Sequence, residues 1–376
     1  MNNLVIQTKS KWCSILHCVI MEIFDIFAKI RIPLHRNHHI YMERCLQLAQ
    51  KGIGYTYPNP MVGAVVVNKG VIIGEGWHQK AGTAHAEVHA LSGLSTSELE
   101  GATLYVNLEP CSHHGKTPPC CELVIAKGIK KVVVGAKDPN PKVAGNGIKA
   151  MQNAGIDVEV GVMEDACIAL NKRFYCFQTQ KRPYIILKWA QSEDGYLAPE
   201  NDRTGTVSWI SDVHSQQLAH RWRAEEHAIL VGRKTVEADN PQLTTRKWSG
   251  TNPVRLVIDR ELKINQKAAV FNDAAQSIIF NCHKTAQDKN IFWEQVNKKY
   301  ILEDLLKKAS EYDIQSILVE GGAITIQHFL NKNLWDECRI ISSPELLNGG
   351  TKAPKKPKGK GTERNIVRDS LQIIKR

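Results

Sequence analysis

Residues 109–121 read EPCSHHGKTPPCC. Three cysteines, two histidines, a lysine and three prolines share this one short loop, more potential metal ligands than a single ion can use. An apolar run at 103–107, expected as a strand, leads into it. The run at 119–127 that follows is expected as a helix, with Pro119 at its start and Gly128 just past its end. Upstream, His85-Ala86-Glu87 opens another expected helix over 86–93. The pieces combine into H-x-E … P-C … C.

That pattern is the arrangement of zinc deaminases. One histidine nitrogen and two thiolates, here His85, Cys111 and Cys120, hold Zn²⁺ and leave a fourth position for water, whose pKa the ion lowers. Glu87, two residues past His85 at a helix start, is the carboxylate that can shuttle a proton without binding the metal. A closed structural site is the alternative. It needs a fourth protein ligand such as His113, His114 or Cys121, and it leaves Glu87 without a task. Cys121 shares a helix face with Val124 and Ile125 and is expected to pack inward.

Around the loop, helix and strand alternate. A helix is expected at 41–51, a hairpin of 61–68 and 71–77 across Lys69-Gly70, a strand at 131–135, a helix near 148–153 and a strand at 157–160. Such alternation predicts a sheet covered by helices. A linker is expected at 177–182. Beyond it come an apolar strand at 184–189, a turn at 192–195, a helix at 213–223, a strand at 255–258, and at 316–330 a strand, a Gly-Gly turn and a helix. Backbone N–H groups at such a helix start can cradle a phosphate. The G-x-G-x-x-G fingerprint of dinucleotide-binding Rossmann folds is missing there.

The chain of 376 residues has a net charge of +11, confined largely to its ends. Residues 1–41 carry five basic and two acidic side chains, a net +3; residues 352–376 carry nine and two, a net +7; the body between them is about +1. This distribution reads as solvated tails rather than a nucleic-acid surface. Residues 1–38 read as an N-terminal extension. Its apolar stretch at 12–30 is interrupted by Glu22, Asp25 and Lys29, which argues against a membrane span. Residues 352–361, KAPKKPKGKG, read as a surface loop or disordered tail. Ten unevenly spaced cysteines without a clear signal peptide fit reduced thiols in the cytoplasm.

Cys111 and Cys120 are separated by SHHGKTPP, longer than the common P-C-x-x-C spacing. With PNPMVG at 58–63, Gly76-Trp77-His78 and the H-A-E segment, this loop resembles the bifunctional riboflavin-biosynthesis deaminase/reductase family. The second half is similar to the reductase part of the same family in K-x-A-x-S-x-D-G at 188–195, SWIS at 208–211, VGxxTVxADNPxLTxR at 231–246 and VEGG at 319–322. The resemblance implies a cytidine-deaminase-like three-layer α/β/α domain at 39–178 and a dihydrofolate-reductase-like α/β domain at 183–376. It implies Zn²⁺ and NADPH as cofactors, a phosphorylated pyrimidine as substrate, and a homodimer or higher homo-oligomer with neither nucleic-acid nor membrane partners. Asn59, His78, His113 and Lys116 then belong to the deaminase substrate site. Ala190, Trp209, Thr235, Asp239, Gly322, Ala323, Ile324 and Thr325 belong to the cofactor. Ser208, Arg223, Leu243, Arg246 and Glu320 belong to the reductase substrate, with the arginines on its phosphate. On spacing alone the plainer readings stand: Lys116 in solvent, His113 in a turn, Trp209 in the core, Asp239 in a turn. Two features depart from the family. The loop at 201–206 is slightly longer than in some relatives, which leaves a family substrate serine either absent or shifted onto Ser208. After Gly350 the last strand falls at 371–374. A nucleotide or RNA deaminase with an accessory domain, and a non-enzymatic zinc scaffold, are the competing readings. The long loop and the near-neutral body oppose the first of these, and Glu87 opposes the second.

Overall fold

The structure is a computed structural model that describes residues 34–113, 118–140, 144–200 and 210–376. The N-terminal stretch 1–33 and the positions His114, Lys116, Ser208 and Trp209 lie outside the described residues.

In the first half, helix α1 (Leu34–Gln50) precedes the hairpin β1 (Gly63–Asn68) and β2 (Val71–Trp77). Lys69 and Gly70 both take positive φ (48° and 81°), the geometry of a two-residue turn matched to strand twist. Then come α2 (Ala86–Leu91), α3 (Thr96–Leu99), β3 (Thr103–Leu108), α4 (Cys120–Ala126), β4 (Lys131–Ala136), α5 (Asn146–Asn153), β5 (Asp157–Val160), α6 (Glu164–Leu170) and α7 (Lys172–Gln180). The sheet order is β2-β1-β3-β4-β5, with β3, β4 and β5 parallel. Its central strands are apolar throughout because both faces are covered. Ala64, Val66, Leu104, Val106, Val132 and Val134 pack with α2, α4 and α5 on one face. Val65, Tyr105 and Val133 meet Met42, Cys45 and Leu48 of α1 on the other. The result is the expected three-layer α/β/α domain.

The second half runs β6 (Tyr184–Gln191), β7 (Tyr196–Ala198), α8 (Val213–Glu225), β8 (Ala228–Gly232), α9 (Arg233–Asp239), β9 (Val254–Ile258), β10 (Ser277–Asn281), β11 (Ala286–Asp288), β12 (Ile291–Gln295), α10 (Ile301–Glu311), β13 (Ser316–Val319), α11 (Ala323–Asn331), β14 (Glu337–Ser342), β15 (Thr351–Lys352), β16 (Lys360–Ile366) and β17 (Asp369–Lys375). Ten strands form one sheet, ordered β11-β12-β10-β9-β8-β13-β6-β14-β17-β16, and its interior from β12 to β14 is parallel. This is a dihydrofolate-reductase-like α/β layer. The parallel strands all point their C-terminal ends toward one crevice, where open α/β sheets bind ligands.

Two segments differ from their sequence reading. The stretch expected as a linker, 177–182, is mostly the last turn of α7, which ends at Lys181 in a left-handed conformation (φ 54°). It holds neither proline nor glycine, and Cys176 just before it is buried against Tyr184 and Trp222. The basic segment after Gly350 is not a loose tail to its end. β17 pairs antiparallel with β14 and with β16, and both its faces are covered: Leu371 packs with Tyr184 and Ile186 on one side and Ile374 joins the main core on the other. The expected strand at 371–374 is the centre of β17. Among the described residues no helix is long and apolar enough to cross a membrane, and all eight described cysteines are free.

Candidate active sites

In the first half, His85 ends the loop before α2 in an extended conformation and Cys120 opens α4. Cys111 lies just beyond β3, in the loop that the sheet delivers to the same point. His85 Nδ1 is 3.2 Å from Cys120 Sγ and 3.5 Å from Cys111 Sγ. The three ligand atoms all lie within 4.8 Å of one another. The Cys120 N–H donates to Cys111 Sγ at 3.3 Å, and the Cys121 N–H to the Cys111 carbonyl at 3.2 Å, so the loop closes on itself. Hydrogen bonds from Cys120 and from His85 pull the Cys111 thiol down to about 4, against burial. One nitrogen and two sulfurs converging at this spacing suit a tetrahedral zinc ion with one position left over. Among the described residues no fourth histidine, cysteine or carboxylate joins them. Cys121 is buried beside Val124, as its helix position predicts.

Glu87 is buried next to this cluster, and burial pushes its carboxyl up from the ordinary range, with the Cys111 charge adding to the effect. Asn59 meets His78 with its Nδ2 3.1 Å from Nε2, and His78 Nδ1 lies 3.1 Å from the Ala84 carbonyl. The His78 and His85 rings stand edge to face, 5.4 Å between centroids. His113 is exposed on the loop and contributes to the field at Asp138.

Two features here escaped the sequence reading. Glu109, the first residue of the opening loop, is buried and accepts four backbone N–H groups: Asp138 (3.3 Å), Gly145 (2.9 Å), Gly147 (3.0 Å) and Ile148 (3.3 Å). It caps α5, whose own N-cap is a left-handed glycine without a side chain to offer. A Cβ on Gly147 would stand 2.1 Å from the Pro110 carbonyl, so the metal loop and α5 meet backbone to backbone. Asp138 is nearly buried beside Glu109 and accepts from the Asn140 N–H at 2.7 Å; burial pushes its pKa up to about 6, with Glu109 adding to the rise.

In the second half a cavity of about 890 Å³ opens at the strand ends. Ala190, Thr235, Asp239, Gly322, Ala323, Ile324, Thr325 and Glu320 all line it. The glycines show what it is shaped for. Gly322 has φ 61°, and a Cβ there would come within 3.2 Å of Thr235 Oγ1; one on Gly232 would come within 2.6 Å of Thr325 Oγ1. Backbone therefore fills these places, and the nine-residue helix α11 presents its N-terminal N–H groups to the cavity. A dinucleotide's diphosphate fits such a cradle.

At the cavity's inner end Arg223 donates from Nε (3.0 Å) and Nη2 (2.6 Å) to both oxygens of Glu320 and from Nη1 to the Thr244 carbonyl (3.3 Å). Although burial opposes it, Arg223 and Lys188 hold Glu320 down at about 2. The paired face of Arg223 expected for phosphate is thus committed to Glu320. Arg246 is exposed and bonds Thr244 Oγ1 at 3.0 Å. Its own N–H is accepted by the buried His220 at 3.0 Å. Leu243 does not line the cavity. It packs with Val231, Val236 and Val257, and its left-handed φ of 55° leaves only its backbone for a ligand. Lys188 was not singled out from the sequence. It faces the cavity beside Glu320, its ammonium makes no hydrogen bond among the described residues, and its pKa is lowered by burial.

Residues 35–136 match the cytidine and deoxycytidylate deaminase zinc-binding region, and residues 183–373 match the RibD C-terminal domain. The chain is 44% identical over 316 residues to the riboflavin biosynthesis protein RibD of Aquifex aeolicus, covering 82% of this chain and 88% of that protein. It is 39% identical over 329 residues to RibD of Escherichia coli, covering 82% and 88%. The crystal structure of a diaminohydroxyphosphoribosylaminopyrimidine deaminase/5-amino-6-(5-phosphoribosylamino)uracil reductase from Thermotoga maritima superposes with a TM-score of 0.81 at 37% identity, over 91% of this chain and 99% of that one.

Proposed function

This chain belongs to the family of bifunctional riboflavin-biosynthesis deaminase/reductases, and from that membership we propose how its own residues divide the work. The enzyme hydrolytically deaminates 2,5-diamino-6-(5-phosphoribosylamino)pyrimidin-4-one and then reduces the ribosyl side chain with NADPH, giving 5-amino-6-(5-phosphoribitylamino)uracil. The observation that carries the reading is the meeting of His85, Cys111 and Cys120 beside a buried Glu87 that is not one of the cluster.

In the deaminase half, 39–178, His85, Cys111 and Cys120 hold zinc. When bound, the ion supplies the Lewis acidity that makes water nucleophilic near neutral pH. Glu87 takes a proton from the attacking water and returns it to the amine as it leaves, a role its raised pKa favours. Asn59 and His78, joined to each other, hold the pyrimidine edge. His113 and Lys116 hold the ribose phosphate from the loop that shorter deaminases lack. Glu109 fixes where that loop starts.

In the reductase half, 183–376, NADPH supplies the hydride when bound. The backbone at 322–325 receives its diphosphate, with Thr235, Asp239, Ala190 and Trp209 along the rest. Reduction at C1′ consumes one proton besides the hydride. Lys188 is the group placed to give it: burial, helped by the Arg223 charge, lowers the pKa of its ammonium although Glu320 beside it pulls the other way. Glu320 and Arg223 form one rigid pair that orients the sugar. Arg246, with Ser208 and the Leu243 backbone, takes the phosphate.

A cytoplasmic location is supported by the free cysteines. A homodimer is the family expectation, which light scattering tests. The decisive assay gives zinc-loaded protein the diaminopyrimidinone phosphate with and without NADPH. Ammonia appears without NADPH, and NADPH is consumed only after deamination. If no ammonia forms, the deaminase assignment fails; ammonia without NADPH oxidation rejects the reductase assignment.

A further inference from the structure

We infer that the reductase half positions the deaminase's substrate loop, through a clamp on Tyr57 and Pro58 built from His227, Gln315 and Ser316. The inference rests on the reading of Asn59 as a substrate-binding residue.

The loop at 56–61 runs into β1 and carries Asn59 toward His78. Its C-terminal end is fixed from within its own half. Asn171 accepts the Met61 N–H at 2.8 Å and donates to the Met61 carbonyl at 2.9 Å, and Asn107 donates to the same carbonyl at 3.1 Å. The other end has its side-chain anchors in the opposite half. Tyr57 donates its hydroxyl to the Glu225 carbonyl at 3.0 Å and lies 3.3 Å from Ser316 Oγ. The Tyr57 ring stacks on His227, 4.6 Å between centroids and 16° between planes. Gln315 Nε2 donates to the Pro58 carbonyl at 2.5 Å. Asn59 follows directly.

The clamp is itself organised before it meets the loop. The Gln315 N–H donates to His227 Nδ1 at 3.3 Å, and the His227 N–H donates to Ser316 Oγ at 2.9 Å. Gln315 and Ser316 are buried. Burial holds the His227 imidazole at about 4, so it stays neutral and its Nδ1 remains an acceptor. No titratable side chain has to change state for the contact to persist near neutral pH. The approach of the two halves beside it is close. A Cβ on Gly54 would fall 2.0 Å from the Ala224 carbonyl, and the Gly54 carbonyl accepts from Thr251 Oγ1 at 3.1 Å.

The two elements that supply the clamp also carry the reductase site. Arg223 and the Glu225 carbonyl share the last turn of α8, and Ser316 and Glu320 flank the short strand β13. Arg223 and Glu320 are paired to each other. The Arg223–Glu320 ion pair and the deaminase's loop anchor are thus ends of the same two pieces of backbone. Without the clamp that end keeps, among the described residues, only backbone hydrogen bonds, such as the Thr56 N–H to the Gly52 carbonyl (3.2 Å) and the Asn59 N–H to the Thr56 carbonyl (2.7 Å); a loop so loosened samples more conformations, and substrate binding must then order it. Loss of the clamp therefore weakens binding more than turnover.

The test uses full-length, zinc-loaded protein carrying His227→Ala, Gln315→Ala or His227→Phe, with Asn59→Ala as reference. We expect His227→Ala and Gln315→Ala to raise the deaminase KM about five- to tenfold with kcat within about twofold, the signature of lost ground-state positioning. Zinc content, NADPH affinity and reductase kcat/KM on deaminated substrate stay at wild-type values. His227→Phe, which restores a stacking ring, recovers most of the KM. An unchanged deaminase KM in both alanine variants, while Asn59→Ala raises it, overturns the clamp alone. An unchanged KM in Asn59→Ala overturns the reading of the loop on which the clamp rests. A parallel fall in zinc content, NADPH affinity and both activities, unrelieved by His227→Phe, makes the contact a folding contact only and overturns the inference as well.

Discussion

At the deaminase site each reacting group is a side chain, and buried polar groups fix the loops that carry them: Glu109 on four backbone N–H groups behind the metal loop, Asn107 and Asn171 behind the substrate loop. At the reductase site glycines bring backbone to the cavity among its side chains. Its glycines are positions where a Cβ would meet Thr235 or Thr325. The contrast follows from where the chemistry resides. A hydrolase that activates water must carry its own acid–base group and hold its metal's geometry. A reductase borrows its reactive atom from a cofactor and needs chiefly shape, a phosphate cradle and one proton.

If that is the difference, single side chains should matter most on the deaminase side. Glu87→Gln removes the proton shuttle and keeps the shape; deamination should fall about 10²- to 10⁴-fold. Zinc content and NADPH-dependent reduction of deaminated substrate should be untouched. Deamination at the wild-type rate would end the catalytic assignment. Glu109→Gln is next. It replaces a charged acceptor of four N–H groups by an amide whose NH₂ faces donors, and a buried unsatisfied group costs about 1–3 kcal/mol. Both the melting temperature and zinc affinity should drop, affinity by about 10- to 100-fold as for other supporting groups of metal sites. A variant with unchanged zinc affinity would reduce Glu109 to an ordinary helix cap.

The same contrast explains what could be read from the sequence. The meeting of His85, Cys111 and Cys120 was legible because cysteine and histidine are scarce and their placement at a helix start and after a strand is unusual. The sheet of the first half was legible because strands covered on both faces become unbroken apolar runs. Glu109 sat in plain view in the decisive loop and was passed over, since its partners are backbone groups 29 to 39 residues downstream. Arg223 was identified by resemblance, but its commitment to Glu320, 97 residues away, is a tertiary fact. The stretch expected as a linker is mostly helical because α7 runs through it, and nothing in FQTQKR announces that α7 also supplies Arg173 to the other half. In the basic segment, lysine, proline and glycine masked a hairpin whose second strand carries Leu371 and Ile374, buried on opposite faces of the sheet.

On the reductase side the expected effects are smaller and more selective. Lys188→Met keeps the length of the side chain and removes its proton. Hydride transfer should slow about 10- to 100-fold at saturating NADPH, with NADPH affinity by fluorescence unchanged and deamination intact. A Lys188→Met enzyme with wild-type kcat would move the proton donor to solvent.

The smallest effect concerns the seam where the two regions meet. There Arg173 forms a bidentate pair with Glu226 (2.6 and 2.5 Å), Lys172 reaches Glu337 at 2.5 Å, and Arg339 bridges Glu337 (2.7 Å) and Glu226 (3.4 Å). Burial alone would raise the Glu337 carboxyl, but Arg339 and Lys172 hold it at about 2, against an ordinary 4.5. A depressed carboxylate stabilises the folded state fully above its unfolded pKa, and that stability drains as pH falls toward the folded value. The window here is therefore about pH 5 to 2, and the most this one group can contribute is about 3 kcal/mol. Because Glu337 ties α7 of the deaminase half to β14 of the reductase half, acid should loosen the seam before it dissolves either sheet. Scanning calorimetry should show one transition at pH 7 and a separating pair at about pH 2 to 3, where most of that contribution is lost. Glu337→Gln should melt lower at pH 7, leaving Lys172 and Arg339 short of a counter-charge, and should lose less on acidification. If wild type and variant share the same acid slope, Glu337 does not govern the seam, and the coupling between the two sites runs through the uncharged clamp at Tyr57 instead.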